Sequence, residues 1–292
     1  MQKRVVYSLY IDVPAKEHFG KSNFKYDTLD KALITTNAFK EHYQKLIDIK
    51  KNYANTIGAS FIMYEYDNDY QTFQKNLLKD FPALTGYEIV NFYKIHLLYE
   101  VAKEYDEILY LDFDAIPVTK DSFFDAWDLS KGICVYNNNT MINKQDRTID
   151  KMIHGIRSPT AKYFNCQAML IATDNNPKND VINTGIIGAT KEDILKLDFF
   201  GKFKDTMDLM TKLKNEGLDE LYPENIIDMF RYDNETIFSY KVEINKINVQ
   251  WFNSQWHYFF DTQHYIPKET KIVHTVNKDF DTVWRYCEKH NL

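Results

Sequence analysis

The stretch Ile108-Leu109-Tyr110-Leu111-Asp112-Phe113-Asp114-Ala115 constrains this chain more than any other part of it. An apolar run, Glu107–Leu111, reads as a β-strand and leads straight into two aspartates one residue apart. On an extended backbone residues i and i+2 point to the same side, so Asp112 and Asp114 are predicted to aim together from the strand's end. Two carboxylates that close repel each other unless a cation lies between them. Hard oxygen ligands of this kind suit Mg²⁺ or Mn²⁺. The competing reading is a pair of solvated aspartates in a turn. Burial of the acids against a lysine or arginine, or their aiming at bulk solvent away from any pocket, would overturn the metal reading.

What precedes the pair favours the metal reading. Arg4–Ile11 and Ala59–Tyr66 are β-branched and aromatic runs that read as strands. Asp30–Tyr53 places Leu33, Phe39, Tyr43, Leu46 and Ile49 at roughly helical spacing, and Tyr87–Tyr105 does the same with Val90, Tyr93, Leu97 and Val101. Strand, helix, strand, helix, strand predicts an α/β fold with a Rossmann-like, mostly parallel sheet flanked by helices. Ligands in such sheets sit at the carboxyl ends of the strands, where the aspartates lie.

Downstream, Gly132–Tyr136 reads as a strand, Asn137–Asn143 as a loop and Tyr163–Ile171 as strand-like. Val181–Ala189 reads as a strand carrying Asn183-Thr184-Gly185, and Lys191–Asn215 as one charged helix. From Glu243 onward the chain reads as irregular and aromatic, with a short apolar run, Lys271–Val273, ending on His274. No repeat or low-complexity linker interrupts the chain. It reads as one domain over 1–292, with a nucleotide half at about 1–136 and a C-terminal acceptor-binding half at about 137–292.

The formal net charge of −6 argues against sequence-independent nucleic-acid binding, which needs a basic face. Three widely spaced cysteines with no CxxC pair exclude a zinc-thiolate site or a disulfide framework and fit a reducing compartment. The apolar run that follows Met1-Gln2-Lys3-Arg4 is too short for a membrane span and lacks a cleavage site. The expectation is a cytoplasmic enzyme of bacterial, phage or viral type. The 21 Tyr and 20 Phe residues fit a biased genome or sugar handling.

By order of motifs, most of the chain resembles the GT-A, Asp-x-Asp-containing nucleotide-sugar glycosyltransferases, glycogenin-like enzymes and their relatives among them. The resemblance implies transfer of a sugar, with retention favoured over inversion, from a nucleoside-diphosphate donor to a glycan or other hydroxyl acceptor. UDP comes first among nucleotides and GDP second. It implies a Mn²⁺ or Mg²⁺ cofactor held by Asp112, Asp114 and His274, and Lys94 near the nucleotide or its phosphates. Asn183, Thr184 and Gly185 would line the donor sugar, and Tyr10 and Asp12 the base and ribose. Asp233 or Glu235 would contact the acceptor hydroxyl or donor sugar. The segment after His274 lacks the glycine and the Pro-Trp of glycogenin-like enzymes, but Lys278 remains in reach of a phosphate.

Several of these residues have a second reading. Asp233 before Glu235 also fits a helix cap. His274 after an apolar strand also fits a satisfied core residue, and Tyr10 a core ring. Trp251–Phe260 reads as a core or dimer patch, or as an acceptor-sugar platform built on Trp251 or Trp256. Arg157 and Lys162 read as surface charge or as contacts to phosphate or an acidic acceptor; His154, His257 and His264 have weaker cases. Two rival functions stand beside the transferase. One is a haloacid-dehalogenase-like phosphatase, in which Asp112 attacks phosphorus and Asp114 acts as general acid. The other is a non-enzymatic sugar-binding module.

Overall fold

The computed structural model describes residues 2–14, 29–142, 158–216, 232–261 and 265–292. Among these residues a six-stranded sheet forms the centre. Its members are β1 (Arg4–Leu9), β2 (Ser60–Tyr64), β3 (Glu107–Leu111), β5 (Ile133–Asn137), β6 (Ile182–Thr190) and β7 (Val249–Trp251), in the order β2-β1-β3-β6-β5-β7. The pairings β1–β2, β1–β3 and β5–β7 are parallel, and β6 runs antiparallel to both β3 and β5. A smaller sheet, β4-β9-β8, is built from β4 (Ala115–Pro117), β8 (Tyr258–Phe260) and β9 (Ile272–Thr275).

Alternation along the strands sorts side chains to two faces. Val5, Tyr7 and Leu9 of β1, with Ile108 and Tyr110 of β3, join a core that contains Phe92, Ile95 and Leu98 of α3 (Gly86–Val101). Val6, Leu109 and Leu111 point the other way, onto Tyr53 and Ala54 of α1 (Leu29–Thr56) and Ile57 just after it. Every residue of β3 is buried, because helices cover both faces. The α/β class and the mostly parallel central sheet agree with the reading of the sequence.

Several elements differ from that reading. Asp112–Asp114 is not a continuation of the strand. The Ala115 N–H donates to the Asp112 carbonyl at 2.9 Å, closing a turn that carries the chain from the large sheet into the small one. Residues 163–171 are helical, within α5 (Ser158–Ala172). Cys166, Ala168, Met169 and Leu170 are all buried, which hides the helical period. The predicted Lys191–Asn215 helix is two, α6 (Lys191–Leu197) and α7 (Phe203–Glu216). Asp198, in a left-handed conformation at φ 45°, ends the first.

The region after Glu243 holds β7, β8, β9 and a final helix, α9 (Phe280–His290), which buries Phe280, Val283, Trp284 and Cys287. A further helix, α2 (Asn68–Asp80), capped by Asp67, stands where the sequence suggested no element. His154, Arg157 and His264 lie outside the described residues.

The centre of the sheet is tightest at Gly188 of β6, which pairs with Leu109 and Cys134. A Cβ there would lie 2.3 Å from Phe123 Cζ and 3.3 Å from Cys134 Cβ. Gly188→Ala is expected to lower unfolding free energy in urea by about 1–3 kcal/mol, the usual cost of overpacking a core.

Candidate functional site

The Asp112-Phe113-Asp114 turn is fixed from three sides. The Asp112 N–H donates to the Gly185 carbonyl of β6 at 2.7 Å, and the Asp114 carbonyl accepts from the Thr275 N–H of β9 at 2.9 Å. Between them the Phe113 carbonyl accepts from the Lys50 ammonium at 2.7 Å. The Phe113 side chain enters a third core with Leu46, Val273 and Phe280. The two acids therefore converge because the chain changes sheets between them, and not through the strand pleat.

Asp112, Asp114 and His274 offer one ligand atom each, all within 4.8 Å of one another. His274 is carried here by β9, whose His274 pairs with Ala115 of β4. Gly185 makes room for it. A Cβ at that position would lie 2.5 Å from His274 Cε1 and 2.9 Å from Nδ1. Two carboxylates and an imidazole form a donor set that fits a divalent cation such as Mn²⁺ or Mg²⁺.

The acids also have lysine partners, Asp114 in a buried position, and this is the arrangement that the sequence reading set against a metal. Lys94 of α3 stands 3.3 Å from Asp112 Oδ1, to which the Tyr110 hydroxyl donates at 2.5 Å. Asp114 is buried, with Lys278 bonded to Oδ2 and His274 Nε2 3.4 Å from Oδ1. Burial alone would raise the Asp114 pKa. The Lys278 charge and the hydrogen bonds from Lys278 and His274 outweigh that effect and hold the carboxyl well below its ordinary range.

A second charged group adjoins the first. Asp233 caps α8 (Asn234–Ile244), accepting from the Glu235 N–H, so the capping reading holds for it. Glu235 is buried and accepts from the Thr184 N–H at 2.8 Å and from Lys162. Lys162 also lies 3.8 Å from Asp233. Burial pushes the Glu235 pKa up, but Lys162 and Lys94 pull it below its usual value. The Asn234 amide donates to Thr184 Oγ1 at 2.8 Å, and Asn183 Oδ1 accepts from the Gly185 N–H at 3.0 Å. Asn183, Thr184, Gly185, Lys94, Asp112, Asp114, Asp233, Glu235, His274 and Lys278 thus form one assembly at the carboxyl end of β3.

Other candidates are placed differently. Tyr10 stacks on Phe113, with ring centroids 4.7 Å apart, so one face is already covered. Asp12 pairs with Lys40 at 2.9 Å, on the exposed rim. Trp256 is buried edge-on against Phe123, which corrects its reading as a sugar platform; Trp251 is exposed.

Tyr110 and Lys50 were missed. Tyr110 is the i−2 neighbour of Asp112 on the same strand face. Lys50 occupies the buried stripe Leu46, Lys50, Tyr53, Ala54 of α1, and a lysine in an apolar register was the signal available.

No family model matches the chain, and no curated protein matches it. Among solved structures, it is similar to a glycosyltransferase involved in the glycosylation of the major capsid of PBCV-1, at 12% identity and a TM-score of 0.45, covering 98% of this chain and 99% of that one. It is also similar to mouse xyloside xylosyltransferase 1, at 10% identity and a TM-score of 0.43, covering 96% and 99%. An active-site mutant of LgtC matches at 13% identity and a TM-score of 0.36, covering 93% and 87%.

Burial lowers the Lys50 pKa to about 7, against the opposing pull of Asp114 and Asp112. The unfolded chain then binds more protons than the native one between about pH 7 and the ordinary lysine pKa. Lys50 burial therefore costs most below pH 7, and stability rises as pH rises above it. The rise is expected to amount to a few kcal/mol between about pH 7 and 9.5, and Lys50→Met is expected to flatten it in urea unfolding measured across that range.

Proposed function

We propose that this chain is a metal-dependent glycosyltransferase that moves a sugar from a nucleoside-diphosphate donor, a UDP-sugar ahead of a GDP-sugar, to a hydroxyl of a glycan or glycoconjugate. One observation carries this reading: Asp112, Asp114 and His274 converge with Lys94 and Lys278 against Asn183-Thr184-Gly185.

The charges suit a diphosphate. Asp112, Asp114, Asp233 and Glu235 face Lys94, Lys162 and Lys278. Among these seven side chains alone, four carboxylates and three ammoniums leave a net charge of −1. Asp112, Asp114 and His274 would hold a divalent ion, which would supply Lewis-acid stabilisation of a departing diphosphate and would turn that balance positive. Lys94 and Lys278, relieved of their carboxylates, are then placed to meet phosphate oxygens. Donor and ion accordingly assemble together. Tyr10 and Asp12, at the end of β1, border the base and ribose, while Asn183 and Gly185 line the donor sugar.

Glu235 is ionised and already accepts from Thr184 and Lys162. A carboxylate held below its usual pKa is a poor proton acceptor. Its fixed negative charge better supports the positive charge that develops on a sugar ring as the diphosphate leaves, which favours retention. The phosphatase reading is disfavoured by Asp114, whose low pKa denies it the proton that a general acid must deliver.

Screening UDP- and GDP-sugars with Mn²⁺ or Mg²⁺, read by released nucleoside diphosphate, is expected to find one donor that turns over. Asp114→Asn is expected to abolish that turnover with the fold retained; unimpaired Mn²⁺-dependent turnover would refute the assignment. Glu235→Gln is expected to lower kcat by about 10²–10³-fold, the usual cost of removing one electrostatic stabiliser. A nucleoside diphosphate is expected to tighten Mn²⁺ binding in calorimetry, because Lys94 and Lys278 then have a partner other than the acids.

A further inference from the structure

Behind His274 stands a second buried histidine. His257 Nε2 lies 2.9 Å from His274 Nδ1, and the two rings, inclined by 27°, have centroids 5.1 Å apart. His257 is 1% exposed. Phe259 stacks on His257 at 4.4 Å and on His274 at 5.3 Å, Tyr136 meets His257 edge-on at 5.1 Å, and the backbone N–H of His257 donates to the Asn253 carbonyl at 3.1 Å. The ring cannot swing away without opening this aromatic packing. Its Nδ1 has no hydrogen-bond partner among the described residues.

We propose that His257 is a positioning residue that places the proton on His274, and thereby sets whether His274 Nε2 offers a lone pair to a divalent ion. The inference rests on the metal site of the proposed function and deepens it. A neutral imidazole has one donor and one acceptor nitrogen. With no ion bound, His274 Nε2 faces the Asp114 carboxylate, which only accepts, so the proton stands on Nε2. His274 Nδ1 then accepts from His257 Nε2–H. His257 Nδ1 is left as a bare acceptor, the less costly atom to leave without a partner in a dry aromatic pocket.

For His274 Nε2 to meet a divalent ion, its proton must stand on Nδ1. His257 Nε2 is the acceptor that holds it there, and the His257 proton then lies on Nδ1. Each ring carries one proton in both arrangements, so the pair exchanges tautomers without a change in charge. The metal-bound arrangement leaves a buried N–H of His257 without a partner. A side chain that accepts from His274 without that penalty should therefore bind the ion at least as well as histidine does.

The test uses the full-length protein and Mn²⁺ alone, titrated by electron paramagnetic resonance, with Asp114→Asn as the control for site binding. Imidazole ¹⁵N shifts of the metal-free protein read the tautomers. The proposal expects His257→Phe to weaken Mn²⁺ binding about 10–100-fold, the usual loss when an outer partner of a ligand is removed. It expects His257→Gln, whose amide oxygen can accept from Nδ1–H, to bind at least as tightly as the wild type. It also expects the metal-free wild type to show His274 protonated at Nε2 and His257 at Nε2.

Equal Mn²⁺ affinity in the wild type and both variants would overturn the proposal and leave the metal site standing. So would equal weakening in Phe and Gln, which marks a role in packing alone. Failure of the wild type to bind Mn²⁺ would overturn the metal reading itself and this inference with it. Circular dichroism of both variants shows whether the fold is kept, and the Gln variant carries the test if Phe does not fold.

Discussion

The contact on which the structure turns is the charge balance around Asp114. Its carboxylate is buried between Lys278 and His274, where an isolated charge would be costly. Those partners arrive from the segment around β9, which the small sheet holds against β4. The site therefore depends on the pairing of Ala115 with His274. Lys94, on a helix across the large sheet, does the same for Asp112. A pair of acids at the junction of two sheets is thus neutralised from both sides, and the turn between them is tied down at its middle carbonyl by Lys50.

Sheet polarity explains how the rest of the site assembles. Because β6 runs antiparallel to β3, its first residues, and not its last, lie beside the carboxyl end of β3. That brings Asn183-Thr184-Gly185 to the acids and places Thr184 against Glu235 at the start of α8. A parallel β6 would put this segment at the far end of the sheet. Gly185 is required because the His274 ring fills the space of a side chain.

Legibility in the sequence followed burial. In the first half, strands covered by helices on both faces read as continuous apolar runs, and Glu107–Leu111 has the same limits in the structure as in the sequence reading. In the second half the signals were weaker. Residues 158–172 are apolar around most of the helix, so no period of 3.6 distinguished α5 from a strand. Strands β7, β8 and β9 have only three or four residues. The stripe Phe280, Val283, Trp284, Cys287, capped by Asp279, had helical spacing and was hidden by the aromatic character of its surroundings. The candidate residues, Lys94, Lys162 and Lys278 among them, were named one by one, but their pairings were not, since nothing local in a sequence shows that Lys278 ends on Asp114.

In the proposed site Asp112, Asp114 and His274 would hold one divalent ion against a diphosphate. Anomalous diffraction from crystals grown with Mn²⁺ and a nucleoside diphosphate tests it most directly. The account predicts one strong manganese peak within coordination distance of all three side chains and of a phosphate oxygen. A peak elsewhere, or an ordered diphosphate at these residues with no peak, would contradict it.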